Sequence, residues 1–212
     1  MTRTPWVVGV SGASGTPYAK AVLSGLLSAG EDVDLVISRA ARLTILDETG
    51  IEWNDRRWQE LLPRWLGCDA VAVSRVVHWA PGDLAAGPSS GTYPTKGMVV
   101  VPASTASVAG IALGLSKDLL QRAADVTLKE RRRLVVVPRE MPLARSTLVH
   151  LLDLHDAGAV VAPASPAFYG EAKGGAGAQQ LIDFVAGKVL DLLGVDHQLS
   201  RRWDGELGSG AP

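Results

Sequence analysis

A single cysteine, Cys68, in 212 residues rules out an intrachain disulfide and a cysteine-rich metal site. We read it as a small core side chain. No apolar run approaches the roughly 20 residues of a membrane span. No signal-peptide h-region or cleavage site precedes the first apolar stretch, which follows Met1-Thr2-Arg3-Thr4-Pro5 directly. An excess of one charge is also missing: 21 Lys and Arg stand against 22 Asp and Glu, a formal net charge of -1. Without a long basic block there is no electrostatic reason to expect nucleic acid or an anionic membrane as partner. No internal repeat is visible. The histidines His78, His150, His155 and His197 show no metal-ligand spacing beyond the His150–His155 gap, and that pair, beside Asp153 and Asp156, reads as helix surface. No Ser–His–acid order or glycine-rich nucleophile elbow is recognisable. The expectation is a cytoplasmic protein with no metal.

What is present is a chain with 47% hydrophobic residues, long enough for one sizeable core. We expect one domain over residues 1–204 and a disordered Gly/Ser/Pro-rich tail over 205–212. Short β-branched runs predict strands at 6–10, 33–38, 97–101, 134–137 and 159–162. Helices are expected at 16–29, 39–48, 106–115, 117–129, 143–157 and 179–193. Another is expected within 54–67, where Trp58, Leu61, Leu62 and Trp65 share one face. Residues 80–96 read as loop and 170–178 as a glycine-rich linker. This alternation predicts an α/β fold with three layers, a mainly parallel sheet with helices on both faces. Ligands of such sheets bind beyond the carboxyl ends of the strands, where Ser11 to Ser14, Ser38, Ser104 and Arg139 fall.

The loop Gly9-Val10-Ser11-Gly12-Ala13-Ser14-Gly15 ends a strand and opens a helix. Its glycines allow close backbone approach to a phosphate, and free amides at a helix start favour an anion. It does not match G-x-G-x-x-G and lacks a P-loop lysine, so ordinary NAD and ATP signatures fail. The competing reading is a tight turn with Ser14 as helix N-cap. Pro102-Ala103-Ser104-Thr105-Ala106-Ser107 repeats the pattern at a second strand end. Two such turns on one edge suit a nucleotide, and either alone is ordinary capping. In the charge-dense stretch 121–133, Arg122, Asp125 and Lys129 lie near one helix face, which also fits a solvated face with ion pairs. Arg139-Glu140 directly follows a strand: the arginine suits a phosphate or the N5/O4 edge of a flavin, the carboxylate suits proton transfer, and a structural ion pair is the alternative. Tyr169, in Pro166-Ala167-Phe168-Tyr169, is either a phosphate donor or a rim aromatic.

Taken together, Gly9 to Gly15, Arg122-Ala123-Ala124-Asp125-Val126, Leu128-Lys129-Glu130-Arg131-Arg132, Pro138-Arg139-Glu140-Met141-Pro142-Leu143 and Pro166 to Tyr169 resemble the UbiX family of flavin prenyltransferases, in the family's order from about Val7 to Trp203. The resemblance implies a Rossmann-like flavoprotein fold. It also implies transfer of a dimethylallyl group from dimethylallyl monophosphate to N5 and C6 of reduced FMN, without metal. The prenylated FMN would serve a UbiD-type decarboxylase, and the enzyme would be a homo-oligomer, commonly a dodecamer, with its site between subunits. Carried over by motif, Gly12, Ala13, Ser14, Ser38, Ser104, Thr105, Ala106, Ser107, Arg122 and Arg139 would hold FMN. Ser90, Gly91, Lys129, Glu140, Tyr169, Lys188 and Glu48 would meet the dimethylallyl phosphate. Lys129, Glu140, Tyr169 and Ser14 would carry the chemistry, cations and the phenol stabilising the departing phosphate and Glu140 passing it a proton. The second loop departs from the family, which more often has cysteine after the proline and a Lys-Thr pair near the end. It leans toward flavin-containing cysteine decarboxylases, which carry asparagine where Ala106 or Ser107 stands and need a catalytic histidine, for which His78 is the candidate. A decarboxylase of a cysteine-like carboxylate and a non-catalytic flavin carrier are therefore the alternatives. Extra residues around Gly174 to Gly177 bear on the alignment of Lys188.

Overall fold

The computed structural model of the chain describes residues 3–167 and 177–200. Six strands, β1 (Trp6–Val10), β2 (Val33–Ile37), β3 (Val76–Trp79), β4 (Gly97–Ala103), β5 (Arg133–Pro138) and β6 (Val160–Val161), form one sheet in the order β3-β2-β1-β4-β5-β6. Every pairing is parallel. Eight helices are seen among the described residues: α1 (Thr16–Ser28), α2 (Arg39–Thr49), α3 (Trp58–Leu66), α4 (Ala70–Val73), α5 (Thr105–Ala112), α6 (Leu119–Lys129), α7 (Arg145–Asp156) and α8 (Ala178–Leu193). The strand order reverses direction between β1 and β4, which leaves a crevice at the carboxyl edge of the sheet.

Strands covered on both faces need apolar side chains at every position, and β1, β2 and β4 are buried along their whole length. Alternate residues feed two cores. Val8, Val10, Leu35, Ile37, Val99 and Val135 pack with Val22, Leu26, Ile45, Leu62 and Leu190 of α1, α2, α3 and α8. Val7, Val36, Met98, Val100 and Leu134 pack on the other side with Ile111, Leu119, Leu120 and Leu154 of α5, α6 and α7. Each such buried side chain contributes roughly 1.5–3 kcal/mol before entropy is counted.

Three local differences from the sequence reading have physical causes. The strand expected to stop at Pro102 runs on to Ala103. Its pairing with β5 is irregular between Val100 and Ala103, where a residue without an N–H costs no ladder bond. β3 and α4 were not expected; β3 is a four-residue edge strand whose Val-Val-His-Trp carries no clean alternation. Within 80–96 the one helical element is a 3-10 turn over Gly87–Ser89.

Candidate functional site

The crevice at the β1–β4 switch is tied shut from below by Ser11. Its buried hydroxyl donates to the Pro102 carbonyl at 2.9 Å and accepts from the Ser104 N–H at 2.7 Å, joining the ends of the two strands. Ser104 caps α5, accepting from the Ser107 N–H at 3.3 Å while its hydroxyl donates to Ser107 Oγ at 3.2 Å. Ser38 caps α2 in the same way, accepting from the Ala41 N–H at 3.1 Å. Gly12 must be glycine because a Cβ there would collide with Ala40 at the start of α2. Arg139, just past β5, donates its N–H to the Ala103 carbonyl at 3.3 Å, and its side chain passes beside Gly15. Gly12, Ala13, Ser14, Ser38, Ser104, Thr105, Ala106, Ser107 and Arg139 thus share one edge. The first amides of α2 and α5 lie ahead of any intrahelical acceptor there. Hydroxyls, two helix starts and a guanidinium around a glycine-lined approach fit a phosphorylated flavin.

The start of α1 does not follow the competing reading of a Ser14 cap. Ser14 is not its cap; Gly15, at φ 114, occupies the cap position and offers no side chain. Glu48, from the far end of α2, takes over: its carboxylate accepts from the Gly15 N–H at 2.9 Å, the Thr16 N–H at 2.8 Å and the Thr16 hydroxyl at 2.6 Å. Burial opposes the charge, but the bonds from the Thr16 hydroxyl, the Gly15 amide, the Ser14 hydroxyl and the Thr16 amide outweigh it and hold the carboxyl below its ordinary value. The first amides of α1 therefore already serve an anion that belongs to the chain. The starts of α2 and α5 are capped by serine hydroxyls rather than by a carboxylate.

Glu140 is exposed beyond β5, its Oε1 accepting from the Met141 N–H at 3.0 Å. It lines a groove of about 390 Å³ between α5 and α7, together with Thr105, Ala106, Ala109, Thr147 and His150. His150, expected at the surface, is half-buried in that groove, and no sequence spacing pointed to it.

Lys129 is elsewhere. It ends α6, the helix that leads into β5, and so lies at the amino edge of the sheet. There it pairs with Glu130, and a Cβ on Gly91 would run into both side chains, which seats Gly91 directly on them, with Ser90 the residue before it. Arg132 pins that loop, donating to the carbonyls of Gly91 at 2.7 Å and Tyr93 at 2.9 Å and to Thr95 Oγ1 at 3.1 Å. Arg122, two turns before Lys129, donates to the Ser89 carbonyl at 3.1 Å and to Asp125 at 2.7 Å. The Lys96 N–H reaches the Pro5 carbonyl, which fixes the end of this loop at the amino edge. Seven residues of β4 separate the two edges, about 20 Å at the usual rise. One chain therefore brings Ser90, Gly91, Arg122 and Lys129 together, but not with Arg139 and Glu140. Lys188 is exposed midway along α8 and joins neither group. Tyr169 lies outside the described residues.

His78 sits on the edge strand β3, its side chain 2% exposed and its Nε2 3.5 Å from Asp55 Oδ1. Burial, only partly opposed by Asp55 and reinforced by Arg42, pushes its pKa down to about 4. Trp53 and Trp58 close over it. It does not face the crevice. Among the described residues no helix is long and apolar enough to cross a membrane, and no group of three or more His, Cys, Asp or Glu could hold a metal ion.

The profile of the Flavoprotein family matches residues 1–190. A flavin prenyltransferase UbiX of Streptomyces coelicolor is 66% identical over 216 residues, covering 98% of this chain and 99% of that one. Among solved structures, AnUbiX in complex with FMN and dimethylallyl pyrophosphate superimposes with a TM-score of 0.81 at 35% identity, covering 97% of this chain and all (100%) of the other. A dodecameric FMN-dependent Ubix-like decarboxylase from Escherichia coli O157:H7 gives 0.81 at 36% identity, covering 95% and 100%. The FMN-dependent cysteine decarboxylase TvaF, at 15% identity and a TM-score of 0.54 over 76% of this chain and 90% of its own, shares the fold alone.

Proposed function

The chain belongs to the UbiX family of flavin prenyltransferases, and on that premise we propose that it joins a dimethylallyl group to N5 and C6 of reduced FMN. The observation that carries this reading is the 66% identity to a flavin prenyltransferase over essentially the whole of both chains. Reduced FMN, when bound, supplies the nucleophilic ring positions and their electrons, so no protein nucleophile is required. The chain's own residues then bind, orient and neutralise. Ser38, Ser104, Ser107 and Arg139 hold the phosphate and ribityl end at the starts of α2 and α5, with Gly12 and Ala13 keeping the backbone close and Ser14 beside Glu48. Lys129, Ser90 and Gly91 meet the prenyl phosphate, with Lys129 stabilising its departure and Glu140 holding the proton it needs; Arg122, expected by motif to hold FMN, is reassigned to this phosphate because it bonds the Ser89 carbonyl beside them. Tyr169 and Lys188 are assigned to the same phosphate by motif alone, since Lys188 joins neither group within one chain.

These two groups stand about 20 Å apart in one chain, so the reading requires that a second copy bring its amino edge to the first copy's crevice. Around the groove, Leu113, Leu115, Met141, Leu148 and Leu152 are exposed apolar side chains on or beside α5 and α7, a surface suited to another copy of the chain. The dodecamer of the relative from Escherichia coli O157:H7 supports such an assembly here. We read residues 1–204 as a single domain, place the protein in the cytoplasm, and assign its product to a UbiD-type decarboxylase. The cysteine-decarboxylase alternative needs a catalytic histidine, and the burial of His78 away from the crevice speaks against it.

The test is anaerobic. Purified protein, reduced FMN and either dimethylallyl monophosphate or diphosphate are mixed, and the released flavin is weighed by mass spectrometry. A flavin heavier by one five-carbon unit is expected; bound but unmodified flavin with both donors contradicts the transferase and leaves a carrier or a decarboxylase.

A further inference from the structure

Helix α2 spans the first loop: Ala40 at one end closes on Gly12, and Glu48 at the other caps Gly15 and Thr16. Yet it buries only Ala41 and Ile45. So little apolar contact does not fix a helix's roll about its own axis, and polar anchors must do it. Two are at the ends, Ser38 and Glu48. The third is on the side facing away from the crevice, where Arg42 Nη2 donates to Asp55 Oδ2 at 2.6 Å.

Asp55 is itself held from outside the helix. It lies in the segment between α2 and α3, where Trp53 of that segment and Trp58 at the start of α3 close over His78 with ring centroids 5.6 and 6.0 Å away. Trp65 meets Trp53 edge-on at 6.0 Å. His78 stands opposite Leu35 in the β3–β2 pairing, so the cage is anchored to the sheet. Arg42 Nε, Asp55 Oδ1 and His78 Nε2 are shut off from solvent, while the Arg42 and Asp55 side chains as a whole stay 30% and 26% exposed, so the ion pair is partly screened and its geometry rests on the contacts around Asp55. A continuous set of contacts therefore runs from the sheet edge through His78, the tryptophans and Asp55 to Arg42.

We propose that the Arg42–Asp55 pair, set in place by His78 and its tryptophan cage, is a positioning device that fixes the roll of α2 and thereby holds Ser38 and Glu48 in register with the first loop for flavin binding. Its consequence for FMN rests on the function proposed above; its effect on α2 does not. None of these side chains touches the flavin crevice, so they are positioning residues rather than catalytic ones.

The experiment compares wild type with R42M, D55N, R42K and the R42M/D55N double variant. Amide hydrogen exchange is followed residue by residue in the flavin-free protein, and the FMN dissociation constant is taken from flavin fluorescence. Loss of the pair should speed exchange at Gly15 and Thr16, the amides that Glu48 caps, and raise the FMN dissociation constant about tenfold while β1 and β4 stay protected. R42K should restore most of both, and the double variant should be no worse than either single one, because the two residues act as a unit. D55N keeps the shape of Asp55 and serves where R42M fails to fold. Unchanged exchange at Gly15 and Thr16, a rise shared equally by β1 and β4, or FMN affinity within twofold of wild type in both single variants would each overturn the proposal. Faster exchange at those two amides in a protein whose wild type binds no FMN would instead support the positioning of α2 and sink the flavin reading.

Discussion

At Glu48 four donors from Ser14, Gly15 and Thr16 hold the carboxyl ionised, and the stabilisation they provide is present above the ordinary carboxylate pKa. It is lost as pH falls through the depressed folded value. In a series of melting temperatures taken downward from pH 6, wild type should lose stability more steeply below about pH 4.5 than E48Q, which has no charge to lose. Parallel curves would contradict the capping role. His78 titrates with the same sign for a different reason: burial keeps it neutral in the folded chain down to about pH 4, whereas the unfolded chain takes up its proton near 6.5. Stability should therefore fall between those two values, by on the order of 3 kcal/mol from this group. H78F, which keeps a ring between Trp53 and Trp58, should flatten urea midpoints over that window; an unchanged slope would place the titration elsewhere. Neither role was legible in the sequence. Glu48 lies 33 positions from Gly15, and a cap supplied from that distance leaves no local signature. Capping at the 102–107 turn was legible, because a cap and the amide it serves are three residues apart; Ser38, read only as a flavin contact, caps α2 by the same spacing.

Among the elements, the buried strands β1, β2, β4 and β5 and the helices between them could be read from the chain, because a strand covered on both faces must be apolar throughout. β3 could not, since an edge strand with a histidine and a tryptophan has no such constraint. The parting of the site residues onto two edges did have a signal. In a parallel α/β sheet a helix that leads into a strand must end at the amino edge, so Lys129 at the end of α6 could be placed opposite Arg139 before any coordinates. The loop beside Lys129 owes its shape to Arg132, whose three bonds to Gly91, Tyr93 and Thr95 have no substitute among the described residues. R132A should cost roughly 1–3 kcal/mol in urea unfolding. It should raise KM for the prenyl donor while leaving FMN affinity near wild type, because the residues assigned to FMN lie at the other edge. A matched loss of FMN affinity would show the two edges to be one site within a single chain.

For the whole molecule, the account requires that the amino edge of one copy complete the crevice of another. The exposed apolar side chains around α5 and α7 give the surface, and the two separated groups give the reason. The most direct test mixes two defective chains. K129A and E140Q are each expected to be inactive alone in anaerobic prenylation of FMN. Co-expressed in equal amounts, they form assemblies in which about a quarter of the crevices pair an intact Lys129 from one copy with an intact Glu140 from another. Activity recovered to that level is the predicted result. Mixed assemblies no more active than either variant alone would contradict a site shared between copies.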